Sequence, residues 1–165
     1  MRNGSQRTGD SVAAAIDRYG TMVYRLAYAR TRSAADADDI FQEVFLKLLT
    51  HAPAFQSDGH EKAWLIRSTV NASVNLLKSA WRRLEGAPLP DSPTAPAPLR
   101  DEALADALAS LSAKSRVVIH LYYYEGMTTD EIAEALGAKP ASVRARLSRG
   151  RKQLKRLLTE REEEM

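Results

Sequence analysis

Cysteine is absent from the 165 residues, which excludes a disulfide framework, thiol catalysis and Cys-based zinc sites. Histidine is scarce. His51, His60 and His120 show no ligand spacing of the H-x-x-x-H kind, so they read as surface or packing residues rather than metal ligands. Apolar runs are short, and none approaches the ~20 residues of a membrane-spanning helix. The opening "MRNGSQRTGD" lacks the apolar stretch of a signal peptide. A soluble, cytoplasmic protein without membrane insertion is the expectation. Strand-type alternation is missing, as are a Gly-rich phosphate loop, a Ser/His/Asp set and a carboxylate pair. The chain therefore reads as a non-enzyme that needs neither metal nor cofactor.

What is present is charge, unevenly placed. The formal charge is +3, from 24 basic and 21 acidic residues. Residues 139–158 hold eight of the basic residues and no acid, so the rest of the chain carries 16 basic against 21 acidic residues. The basicity belongs to one segment, and a concentrated basic stripe points to a polyanion, either nucleic acid or an anionic membrane surface.

Proline is also unevenly placed. Five of the seven prolines fall in "GAPLPDSPTAPAPL", 86–99. Proline fixes φ and lacks a backbone donor, so this stretch cannot be helix or central strand. It reads as a semi-rigid tether, with a reach of roughly 40 Å in polyproline II form. The expected organisation is a disordered tail at 1–10, a helical domain at 11–85, a Pro/Ala-rich linker at 86–100 and a second helical domain at 101–161. The fold class is all-α.

In the first domain, Val12, Ile16, Tyr19, Val23 and Leu26 follow one helical face, with Gly20 as a candidate bend. Ser33 caps a second helix that runs to about His51. A third helix follows the loop "APAFQSDGH" and spans about 61–85. Trp64 reads as core, whereas Trp81, beside Arg82 and Arg83, suits packing or base stacking equally. The second helix, "DADDIFQEVFLKLL", has two faces. Ile40, Phe41, Val44, Phe45 and Leu48 share one; Asp39, Gln42, Glu43 and Leu46 share the other. Helix-dipole electrostatics explain acids in the first turns. They leave Leu46 unexplained, and a protein-docking face is the second reading.

The second domain reads as four helical units. Thr128 and Glu131 form a T-x-x-E capping box, Gly137 supplies a tight stop, and Pro140 suits the first turn of the next helix. On that helix Val143, Leu147, Leu154, Leu157 and Leu158 line one face, with Gly150 among them. Arg144, Ala145, Ser148, Arg149 and Lys152 line the other. A stripe this regular is not expected of a disordered tail. A solvated surface helix and a membrane-surface helix are the competing readings; the latter usually carries Trp or Phe on its apolar side. A short helix, a Gly turn and a basic helix together describe a helix-turn-helix, whose second helix enters the DNA major groove. Of Tyr122, Tyr123 and Tyr124, at least one must face outward.

In order, "DADDIFQEVFLKLL", "AWLIRSTVNASVNLLKSAWRR", a linker and "LYYYEGMTTDEIAEALGAKPASVRARLSRGRKQL" resemble a bacterial RNA polymerase sigma factor of the minimal, extracytoplasmic-function group. The resemblance covers roughly residues 11–160 and rests on the order and separation of the motifs. It implies a transcription initiation factor that binds core RNA polymerase and directs it to minus-ten and minus-thirty-five promoter elements. The alternative is a helix-turn-helix regulator that does not join core polymerase. The resemblance implies that Asp39, Gln42 and Glu43, assisted by Phe45 and Leu46, bind the clamp of the largest polymerase subunit. The loop near 52–60 and the helix after it would read and open the minus-ten element, through Asn71 and Asn75, with Lys78, Arg82 and Arg83 on phosphates. Asn75 stands where many members carry Asp, and Ser68 and Thr69 replace the more usual Ile-Ala. Arg144, Ala145, Ser148, Arg149 and Lys152 would address the minus-thirty-five element, with Arg146 and Arg151 on phosphates. An anti-sigma factor is a further implied partner, and the factor is implied to be a monomer.

Overall fold

The structure is a computed structural model that describes residues 9–83 and 102–164, with the backbone alone at 80–83, 102 and 164. The expected linker, 86–100, lies outside the described residues, as do residues 1–8 of the expected tail. Seven helices and no strand occur among the described residues. The chain divides into two compact units.

The first unit contains α1 (Gly9–Thr31), α2 (Ala34–His51) and α3 (Asp58–Arg83), each packed on the other two. Gly9 and Asp10, expected in the tail, begin α1. Leu26, Ile40, Leu48, Leu65 and Ile66 are fully buried at its centre. Truncating such a residue to Ala costs about 2–5 kcal/mol. Gly20 marks no break, since α1 is one helix across it. The residue faces Phe41, and a Cβ there would stand 3.4 Å from that ring. A Cβ at that distance would be in ordinary contact with the ring, so Gly20 lies in the packed seam between α1 and α2.

Ser33 caps α2 by accepting the Asp36 N–H at 3.2 Å. Between α1 and α2 the chain turns at Arg32, a non-glycine residue with φ 57°. Helix α3 starts at Asp58, earlier than the periodicity suggests. Ser57 Oγ accepts the His60 N–H at 3.1 Å, which serves as the cap. The start of α3 is tied to α1 as well: the Tyr19 hydroxyl donates to the Asp58 carbonyl at 3.2 Å, and Arg18 pairs with the Asp58 carboxylate at 3.0 Å.

The second unit contains α4 (Glu102–Ser110), α5 (Ala113–Tyr123), α6 (Thr129–Leu136) and α7 (Pro140–Glu164). Helix α7 packs against α4, α5 and α6, and α5 also meets α6. Val118, Leu121, Ile132 and Val143 are fully buried between them. Thr128 and Glu131 complete the capping box in both directions, at 3.1 and 2.9 Å. Gly137 ends α6 in the left-handed region at φ 66°, and Pro140 opens α7. At Gly150 a Cβ would sit 2.5 Å from Ile119 Cδ1, so its absence sets how closely α7 lies on α5.

Candidate functional site

The recognition surface is built from α6, the Gly137 turn and α7. The cap and the left-handed turn fix where α7 begins. Its apolar side then fixes its rotation: Val143, Leu147 and Gly150 are buried, and Leu154, Leu157 and Leu158 are half-buried. With that side committed, Arg144, Ser148, Arg149 and Lys152 are left exposed, and Ala145 and Arg146 are half-buried. The exposed set lies in the first half of α7, the part of a recognition helix that meets base edges. Further along, Lys155 and Arg156 are exposed, and Arg156 approaches Glu160 at 3.9 Å. Such an exposed pair contributes little to stability.

Arg151 sits in a more defined place than its neighbours. Its Nε donates to the Tyr123 hydroxyl at 2.6 Å, and its guanidinium lies 5.0 Å from the Tyr122 ring and 5.5 Å from the Tyr123 ring. The Tyr123 bond raises its pKa, desolvation acts against it, and Tyr122 adds to the rise. Tyr123 and Tyr124 both face outward, as one of the three tyrosines had to. His120 is buried instead. Its ring stacks on Tyr124 at 5.2 Å, with Nε2 3.8 Å from Glu125.

In the first unit, α2 turns Asp39, Gln42, Glu43 and Leu46 to the outside, and Leu46 is 62% exposed. Phe45 must be taken out of this face. It is only 4% exposed and packs on Phe41, ring centroids 4.7 Å apart. Phe45 follows Phe41 at i+4 along the inner stripe, so helical geometry places it in the core.

Asn71, Asn75 and Lys78 are exposed along one side of α3. The side chains of Trp81, Arg82 and Arg83 lie outside the described residues. Ser68, Thr69 and Ser73 are buried. The Thr69 hydroxyl donates to the Leu65 carbonyl and the Ser73 hydroxyl to that of Val70, each at 2.6 Å, so two of these polar groups are satisfied within their own helix. The loop before α3 is held by local bonds. The Gln56 N–H donates to His60 Nδ1 at 3.2 Å, and the Phe55 ring lies between His60 and Trp64, at 5.2 and 5.8 Å. No cluster of potential metal ligands occurs among the described residues.

Sequence reasoning missed Tyr123 as the partner of Arg151. The two are 28 residues apart on different helices, and no local pattern joins them. The His60 loop anchor was partly legible, because Ser57 stands three residues before it, as a cap does.

Two helical units, one ending in a helix-turn-helix with an exposed basic helix, define a DNA-binding protein of that class. Residues 15–83 match the family model for sigma-70 region 2, and residues 101–154 that for sigma-70 region 4. The ECF RNA polymerase sigma factor SigE of Mycolicibacterium smegmatis is 31% identical over 164 residues, covering 90% of this chain and 63% of that protein. SigL of Mycobacterium tuberculosis, also an ECF sigma factor, is 33% identical over 143 residues, covering 81% of each. Among solved structures, the sigma factor RpoE of Bartonella quintana, in complex with the anti-sigma factor NepR, gives a TM-score of 0.72 at 20% identity, over 90% of this chain and 97% of that one. CnrH, in complex with the cytosolic domain of CnrY, gives 0.63 at 23% identity, over 92% and 90%. These two likenesses show the fold. The chain belongs to the sigma-70 family of RNA polymerase sigma factors, promoter-directing transcription initiation factors, and within it to the extracytoplasmic-function group.

Proposed function

We propose that this chain joins core RNA polymerase through the outer face of α2 and directs it to promoters through both units. The observation that carries this is the exposed set Asp39, Gln42, Glu43 and Leu46. A regulator that only binds DNA has no use for an acidic face that also exposes an apolar residue, whereas a protein partner does. The clamp of the largest polymerase subunit is the proposed partner for it. The α3 side with Asn71, Asn75 and Lys78, together with the loop at 52–57, is the proposed reader of the minus-ten element. Arg144, Ser148, Arg149 and Lys152 are the proposed readers of the minus-thirty-five element, with Ala145 offering apolar contact to a thymine methyl. Arg146 and Arg151 are assigned to phosphates. The polymerase supplies the chemistry, and the factor itself is no enzyme. The chain works as a cytoplasmic monomer in this reading. No helix among the described residues is long and apolar enough to cross a membrane. An anti-sigma factor is a proposed further partner, as RpoE has one in NepR.

The test is transcription in vitro with purified core polymerase and a promoter library from the source genome. Start sites sharing two spaced elements are expected only when the factor is added. DNA binding by the chain without any factor-dependent transcript would leave the plain regulator standing instead.

A further inference from the structure

Tyr122 and Tyr123 of α5 form a cluster with Arg151 of α7. The two tyrosine rings meet edge to face, 5.0 Å between centroids, and the guanidinium rests over both while its Nε bonds the Tyr123 hydroxyl. The cluster is at the surface, with Tyr123 56% exposed and Arg151 exposed. An unrestrained arginine loses much rotamer freedom when it grips a ligand. One already held in place loses less, so its binding is stronger for the same contacts.

The donor inventory points to the ligand. The bond to Tyr123 uses Nε and not the terminal amino groups, which form the fork that suits a phosphate. The Tyr123 oxygen accepts that bond and keeps its own proton to donate. Position decides between a nucleic acid and an acidic peptide. Arg151 follows Arg144 by seven residues, two turns of helix, so it borders the face that exposes Arg144, Ser148 and Lys152. From Pro140 that helix carries no acid before Glu160. A phosphate backbone following the basic face reaches Arg151 next.

We propose that Tyr122, Tyr123 and Arg151 form a preorganised seat for one backbone phosphate of the promoter duplex, in which Tyr123 is a positioning residue acting through Arg151. This rests on the promoter-binding reading above. It adds to that reading two tyrosines of α5 and the reason this arginine differs from its neighbours.

The experiment titrates the full chain against a fluorescein-labelled duplex of random sequence, by anisotropy, at several salt concentrations. Arg151→Ala should weaken binding about three- to tenfold and lower the salt slope by about one. Tyr123→Phe keeps the ring and should weaken binding about two- to fivefold. In the Arg151→Ala background, Tyr123→Phe should cost nothing further. Arg151→Lys keeps the charge and the salt slope but removes the fork, and there too Tyr123→Phe should be silent. Equal costs of Tyr123→Phe with and without Arg151 would mean that the tyrosine only supports packing, which overturns the proposal. Unchanged DNA affinity in Arg151→Ala would also overturn it and leave an acidic peptide as the ligand. Arg149→Ala separates the two readings. If, on a second labelled duplex carrying a minus-thirty-five element, it weakens binding while Arg151→Ala does nothing on either duplex, only the seat fails; if the wild-type chain itself binds neither duplex, the promoter reading fails with it.

Discussion

Helices α2 and α7 both bury an apolar stripe and expose a charged face, yet their charges stand differently toward the helix dipole. In α2 the acids begin in the first turn with Asp36, where the positive end of the dipole favours them. Part of that charge serves the helix. In α7 the order is reversed. No acid occurs in the first turn, Arg144 and Arg146 lie near the start, and Glu160, Glu162 and Glu163 gather toward the end. Glu162 and Glu163 thus stand in the last turn, beside Arg161, where the dipole disfavours acids by about 0.3–1 kcal/mol per charge, whereas Arg144 and Arg146 lie past the first turn and gain nothing from it. Basic charge that gains nothing from its own helix is free to serve a partner. The same test sorts α2: Asp36 serves the fold, whereas Glu43, two turns further on, gains nothing from the dipole.

The largest effect is expected where a partner's charge is confronted directly. Asp39→Arg combined with Glu43→Arg should abolish measurable assembly with core polymerase, since like charges across an interface cost several kcal/mol, about a hundredfold or more in affinity. Both positions are exposed, so the helical circular dichroism should stay native. Undiminished affinity for core would show that the α2 face serves only solubility, and the contrast with α7 would collapse.

The α7 face should respond by position rather than by charge alone. Arg149→Ala should cost about 1–3 kcal/mol on a cognate minus-thirty-five element and much less on random DNA. Lys155→Ala, further along the helix, should weaken both DNAs alike and lower the salt slope by about one. Were the two variants to lose cognate and random DNA equally, the helix would supply charge without sequence reading.

Much of this was legible locally. The caps at Ser33 and Thr128, the stop at Gly137 and the start at Pro140 are short-range signals, and the structure has each of them in place. The apolar periods of α2 and α7 likewise gave the faces. Where the reading slipped, the cause was a different kind of information. Phe45 was carried into the docking set by resemblance, although its spacing from Phe41 already put it inside. Gly20 suggested a bend because propensity counts only the helix it sits in, and the packing of Phe41 against it is a tertiary fact. Helix α7 continues through its acidic end because nothing there breaks a helix, and Arg161 pairs with Asp106 of α4 at 2.9 Å. That contact, like Arg151 with Tyr123, joins residues too far apart in sequence for any periodicity to connect.

The smallest expected effect concerns charge that serves the fold alone. Glu131 accepts the Thr128 N–H and also stands in the first turn of α6, so its carboxylate acts both as a hydrogen-bond acceptor and as a dipole partner. Glu131→Gln keeps an acceptor for the box and removes the charge. It should lower stability by about 0.3–1 kcal/mol at low salt, and the loss should fade as salt screens the dipole. Thr128→Ala removes the other half of the box and should cost about 1 kcal/mol with little dependence on salt. Neither residue belongs to the basic face, so at temperatures where both variants are fully folded their affinity for DNA should match the wild type. Urea unfolding at two salt concentrations, followed by anisotropy titration, reads both quantities. A charge that lowered stability and DNA affinity together would mean that α6 touches the nucleic acid, and Glu131 would then have to be counted with the charges that face a partner.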